Sequence, residues 1–80
     1  MRVVIFPGEN RVSVEGMSES VDCSSYEDIN VVQWYGDHGE IEYWNGLGAK
    51  RIRMNTTIDD LSPFQHLVDA WELEAKNNVA

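Results

Sequence analysis

His38 stands among acids at Asp37, Glu40 and Glu42, a combination that could ligate a metal ion or act as an acid–base pair. A zinc site gathers several His, Cys or carboxylate ligands, and the only other histidine, His66, is not at ligand spacing. The same letters suit a chain reversal better. Asp with flanking glycines tolerates the dihedrals of a two-residue turn, and Glu40 and Glu42, two apart, project from one side of a strand. Cys23 is the one cysteine, so an internal disulfide and every multi-cysteine zinc arrangement are excluded. To act as a nucleophile with either histidine it would need a helix N-terminus or a basic pocket, and its neighbours Val21-Asp22 and Ser24-Ser25 supply neither. His66 reads as a partly exposed surface residue near a helix start. Asp59-Asp60 directly precedes that helix, where the positive end of the dipole accounts for two acids. Gly39, Gly46 and Gly48 match no phosphate-cradling spacing. The expectation is no catalytic, cofactor-binding or metal-ligating residue, and no enzyme.

The elements around these residues are more informative. Gln33-Trp34-Tyr35-Gly36-Asp37-His38-Gly39-Glu40-Ile41-Glu42-Tyr43-Trp44 packs four aromatics around one reversal. With Gly36 and Gly39 flanking a turn at Asp37-His38, Tyr35 faces Glu40, Trp34 faces Ile41, Gln33 faces Glu42 and Val32 faces Tyr43. Side chains alternate along a strand, so Val32, Trp34, Ile41 and Tyr43 share an apolar face while Gln33, Tyr35, Glu40 and Glu42 share a wetter one. A slip of one residue would bury both glutamates.

Upstream, Arg2 to Phe6 and Val12-Ser13-Val14-Glu15 form a first hairpin across Pro7-Gly8-Glu9-Asn10, and Gly16 closes it. Ser18-Glu19-Ser20 and Ser24-Ser25 read as surface loop around a short extended piece at Val21-Asp22-Cys23. The central hairpin spans Ile29 to Tyr35 and Glu40 to Trp44. Downstream, Asn45-Gly46 is a strong tight-turn signal leading to a third strand over Lys50 to Met54. There Ile52 and Met54 join the face of Ile41 and Tyr43, while Arg51 and Arg53 lie near Glu40 and Glu42. A helix follows, with Ser62 as N-cap and Pro63 in its first turn. Phe64, Leu67, Val68, Trp71 and Ala75 recur at helical spacing. Asn77 and Asn78 end it, and the final residues fray.

The fold class is therefore α+β: an antiparallel β-meander of four to five strands with one C-terminal α-helix packed on one face. Eighty residues make one domain, with the hairpins over 1–58 and the helix over 61–77. One helix covers one face of such a sheet. The other carries Val31, Gln33, Tyr35, Glu40, Glu42 and Trp44, and exposed aromatics with a polar rim are what protein interfaces favour. These six are the candidate protein-interface residues.

Fourteen acids against six bases give a formal charge of -8, which repels a phosphate backbone. Lys50, Arg51 and Arg53 are the one basic cluster, too small for a nucleic-acid footprint. Pro7-Gly8-Glu9-Asn10 ends the first apolar run before a signal peptide or membrane span is complete. No nucleic acid, membrane or cofactor is expected as a partner.

Val32-Gln33-Trp34 followed by Gly39-Glu40-Ile41-Glu42-Tyr43, then Ile58-Asp59-Asp60-Leu61, Phe64-Gln65 and Leu67-Val68-Asp69-Ala70-Trp71, resembles a group of short uncharacterised proteins of tailed bacteriophages and prophages, encoded among tail and tail-fibre genes. The resemblance extends over nearly the whole chain, and the basic stretch Lys50 to Arg53 departs from it. It implies a non-enzymatic tail-associated structural or assembly (chaperone-like) protein that binds a phage tail or tail-fibre protein or a second copy of itself. The implied location is the host cytoplasm at synthesis and the virion tail later. An alternative is an acidic inhibitor or regulator of a basic host protein, which clustering of Glu15, Glu19, Asp22, Glu27 and Asp28 on one surface would favour.

Overall fold

The computed structural model describes residues 1–46 and 48–78. Among them, six strands form one antiparallel sheet: β1 (Val3–Phe6), β2 (Arg11–Val14), β3 (Met17–Ser20), β4 (Ile29–Trp34), β5 (Gly39–Asn45) and β6 (Ile52–Ile58), followed by α1 (Gln65–Asn77). The spatial order is β3-β2-β1-β4-β5-β6. Two three-stranded meanders thus join along their first strands, β1 and β4, giving an α+β fold with one strand more than the highest count expected.

The additional strand is β3. Ser18-Glu19-Ser20, read as loop, is paired in register with β2 from Arg11↔Ser20 to Val14↔Met17. Glu15 and Gly16 make the reversal, with φ of 52° and 83°, the positive pair of a type I′ turn. Val21 and Cys23, read as a short extended piece between surface loops, are unpaired chain that sinks into the core, at 6% and 1% exposure. Their backbone is held from the β1–β2 connection: Asn10 accepts from the Val21 N–H through its carbonyl and from the Cys23 N–H through its side chain.

The central hairpin pairs Gln33 with Glu40, Val32 with Ile41 and Trp34 with Gly39. This is two residues off the expected register, and the reversal is a four-residue Tyr35–His38 connection closed by Tyr35 N–H donating to the His38 carbonyl. A shift of two keeps every side chain on its expected face, because the strand period is two. Gly39 explains the shift. A Cβ there would stand 2.5 Å from the Gln33 carbonyl oxygen and 2.9 Å from Cε3 of Trp34, so the indole lies over a position that only glycine can occupy. Farther along, Ile29 pairs with Tyr43 and Val31 with Glu42; Asn30 is the extra residue of a bulge, which turns Ile29 back toward the core.

β6 pairs with β5 without interruption from Gly39↔Ile58 to Asn45↔Ile52. The strand runs beyond Met54, and Asn45-Gly46 does not make a two-residue turn: the connection reaches Arg51 and contains a 3-10 turn at Gly48–Lys50. Lys50 and Arg51, expected in the strand, are exposed in this connection, while Arg53 lies in β6 opposite Trp44.

The helix starts later than 61. Ser62–Phe64 is a 3-10 turn, and Phe64 takes the cap position of α1 without a side-chain cap. Ser62 is not the N-cap. Asp60 fills the capping role one turn earlier, accepting from both the Ser62 N–H and its hydroxyl, and these bonds hold its carboxyl below the usual range. The expected stripe is inward: Phe64, Leu67 and Val68 are buried with Val3, Ile5, Val12, Val14, Val32, Trp34 and Leu61, and Trp71 packs at the margin. Trp71 also donates its indole N–H to the Met17 carbonyl at 2.8 Å. Asn78 is the C-cap. Val79 and Ala80, expected to fray, lie outside the described residues.

Gly39→Ala should be destabilised by about 2 kcal/mol through forced overpacking, a fall in melting temperature of about 10 °C for a domain of this size. Gly8→Ala is the control, since a Cβ there meets nothing within 4 Å. Thermal denaturation followed by circular dichroism reads both; equal melting temperatures would show that the Trp34–Gly39 contact does not set the register.

Candidate functional site

All six sequence-derived interface residues fall on one face, opposite α1. Register places Gln33 against Glu40 and Val31 against Glu42 on β4 and β5, with Trp44 two residues past Glu42. Tyr35 lies just past the end of β4 and folds back over the same face. Its hydroxyl is 3.4 Å from both Gln33 Oε1 and Glu40 Oε2 and can donate to one at a time. The Arg2 guanidinium sits 5.2 Å from the Tyr35 ring centroid and donates to Gln33 Oε1.

At the other end of the face, the guanidinium carbons of Arg51 and Arg53 lie 4.4 and 5.1 Å from the Trp44 ring. Such contacts contribute roughly 0.5–1 kcal/mol each at exposed positions. Arg53 also brings Nε to 2.8 Å from Glu42 Oε1. That oxygen is enclosed yet has no hydrogen-bond partner, because the Arg53 N–H is not aligned with it: the charges meet, the bond does not. Arg53 is therefore where it was expected, near Glu42. Arg51 lies over the tryptophan and makes no ion pair with either glutamate among the described contacts.

Neither terminal aromatic belongs to the core. Tyr35 is 38% exposed, Trp44 is half-buried, and both stand outside the cluster that unites sheet and helix. Val31 is the exception on this face: it is only 8% exposed and yet is no part of that cluster. Its cover comes from this face itself. Two residues here escaped the sequence reading. Val4 lies opposite Gln33, and the same register carried one step farther puts Phe6, 38% exposed, beside Val31. The signal was the unbroken apolar run Val3-Val4-Ile5-Phe6, which marks a strand with apolar groups on both faces.

The groups weighed for chemistry are dispersed. His38 pairs with the adjacent Asp37, which holds the Asp37 carboxyl low, and its ring stacks 5.2 Å from Tyr35. His66 shares a 3.0 Å hydrogen bond with the Tyr26 hydroxyl on another part of the surface. The Cys23 thiol donates to the Val21 carbonyl, and burial followed by the nearby Asp22 charge pushes its pKa up, the opposite of an activated nucleophile. Among the described residues no three His, Cys, Asp or Glu side chains converge as metal ligands, and no helix is long and apolar enough to cross a membrane.

Arg53→Met should cost about 1 kcal/mol, because it removes one cation from Trp44 and leaves the enclosed Glu42 oxygen uncompensated. Adding Glu42→Gln should recover part of that loss. Urea denaturation of the two single variants and the double variant closes the cycle; strictly additive effects would mean that the Glu42–Arg53 contact contributes nothing.

No family model matches the chain, and neither a curated protein nor a solved structure matches it.

Proposed function

We propose that this chain is a non-enzymatic binding protein, a phage or prophage tail-associated structural or assembly component that docks a tail or tail-fibre protein on the face bearing Val31, Gln33, Tyr35, Glu40, Glu42 and Trp44. The observation that carries the reading is the reach of the single helix. α1 packs on the other face, chiefly over β2 and β3, so the face opposite it presents Phe6 on β1, Tyr35 past the end of β4 and Trp44 on β5 with no second layer above them among the described residues. Aromatic groups surrounded by charged neighbours, three of them arginines, have the composition of a binding hot spot. The tail assignment is drawn from the sequence resemblance of the Val32–Tyr43 and Ile58–Trp71 blocks.

The acidic-inhibitor alternative has less to rest on. Glu15 lies in the β2–β3 turn at one end of the sheet, whereas Asp22, Glu27 and Asp28 lie in the β3–β4 connection at the other. Glu19 accepts a hydrogen bond from Asn78. Those five acids do not share one surface.

The test is co-purification of the tagged chain with the products of the genes flanking its own. Trp44→Ala and Tyr35→Ala, checked as folded, should each reduce retention at least tenfold, and raised salt should reduce it only a few-fold, since packed aromatic contacts are weakly screened. Retention lost in salt but indifferent to both substitutions would favour a charge-led partner and overturn the docking face.

A further inference from the structure

We propose that β6 pairs antiparallel with β6 of a second copy, making a two-fold dimer with one continuous sheet. The two edges of the sheet are unlike. β3 is four residues long, and the helix lies against it, with the Trp71 indole bonded to the Met17 carbonyl. β6 is seven residues long, free of proline, glycine and bulges, and paired on one side only. A long regular edge without such guards is a template for another strand.

The strand's own sequence selects the occupant. Ile52-Arg53-Met54-Asn55-Thr56-Thr57-Ile58, folded about Asn55, sets Ile52 against Ile58, Met54 against Thr56 and Arg53 against Thr57 of the other copy. Ile52, 57% exposed and the least covered apolar residue of this strand, thereby gains an apolar neighbour. On the opposite face each Arg53 meets a threonine, and behind that Thr57 stands Glu40 on β5, so each arginine approaches an acid of the other copy across one small side chain. Pairing over the full strand forms on the order of six to eight backbone hydrogen bonds.

Charge points to the same edge. The chain carries -8, yet from Asn45 to Ile58 it has three bases and no acid. Two copies of an acidic protein repel through most of their surfaces; this edge is where they can meet. The inference does not rest on the docking face proposed above, since Trp44 and Tyr35 stay uncovered in the dimer.

Size-exclusion with light scattering over a dilution series should give twice the 9.1 kDa of one chain. Asn55→Lys combined with Thr57→Lys keeps the fold, because Glu42 and Glu40 lie opposite those positions on β5, but it creates three like-charge pairs across the dyad. It should raise the dimer dissociation constant on the order of tenfold or more. Asn55→Cys should cross-link under diamide, its Cα atoms standing about 5 Å apart across the axis. Thr57→Cys should not, being about 14 Å from its counterpart. Trp44→Ala should leave the mass doubled even where it abolishes retention of tail proteins. A one-chain mass into the millimolar range, a dimer unmoved by the lysines, equal cross-linking at both cysteines, or an edge that takes up a flanking-gene product in place of a second copy would each overturn the pairing.

Discussion

The close approach of the Trp34 indole to the backbone at Gly39 is the constraint on which the rest of the molecule depends. Trp34 lies opposite Val3 on β1 and opposite Gly39 on β5, so one side chain sits where the two meanders meet. Because the ring occupies the space of a missing Cβ, β5 can pair with β4 in only one register. That register decides which residues look toward the helix and which away from it. Were β5 to slip by one, Glu40 and Glu42 would turn inward against Val32 and Phe64, and two unpaired carboxylates in a small core would cost more than a domain of this size holds in reserve.

From that register follows the uneven covering of the sheet. Leu61, Phe64, Leu67 and Val68 close over Val3, Ile5, Val12, Val14 and Val32, and the helix continues toward β2 and β3. The β5–β6 hairpin projects beyond it, with Tyr43 and Met54 half-covered and Ile52 open on the helix side. Sequence reasoning expected one bare face; the structure has one bare face and half of another. Arginines compensate in part. Their long apolar stems and flat guanidinium groups shield Trp44 at the far end of the hairpin, and Arg2 does the same for Tyr35 at the near end.

What could be read from the letters were features written in periodicity. Alternation along Val32, Trp34, Ile41 and Tyr43 assigned the faces correctly, and a two-residue error in pairing did no harm because parity survived. The 3.6-residue recurrence of Phe64, Leu67, Val68 and Trp71 found the helix. What was lost depended on contacts between distant residues. The strand at Met17–Ser20 is polar and short, and nothing local separates it from loop; it is a strand because β2 and the helix hold it. The capping role of Asp60 in place of Ser62 rests on how Leu61 turns into the core, and the bulge at Asn30 is forced by Ile29 having a place there. Glu15-Gly16, by contrast, was a legible type I′ turn between Val14 and Met17. It was overlooked because glutamate rarely takes φ near 52°, while here its side chain is fastened by the Arg2 backbone N–H.

The distribution of charge links the fold to the surface. An acidic excess keeps a small protein soluble and apart from its neighbours, and it acts wherever like charges face one another. The segment carrying β6 is exempt: it holds no acid, Arg53 reaches Glu42, and the Arg51 and Arg53 guanidinium groups lie against Trp44, leaving an edge of threonine, asparagine and isoleucine with no acid to repel a second copy. An edge strand protected by outward lysines would have been the safer solution for a monomer. Here the cations that could guard β6 are engaged in ordering the aromatic face beside it, so the same arginines that position Trp44 leave the edge unguarded.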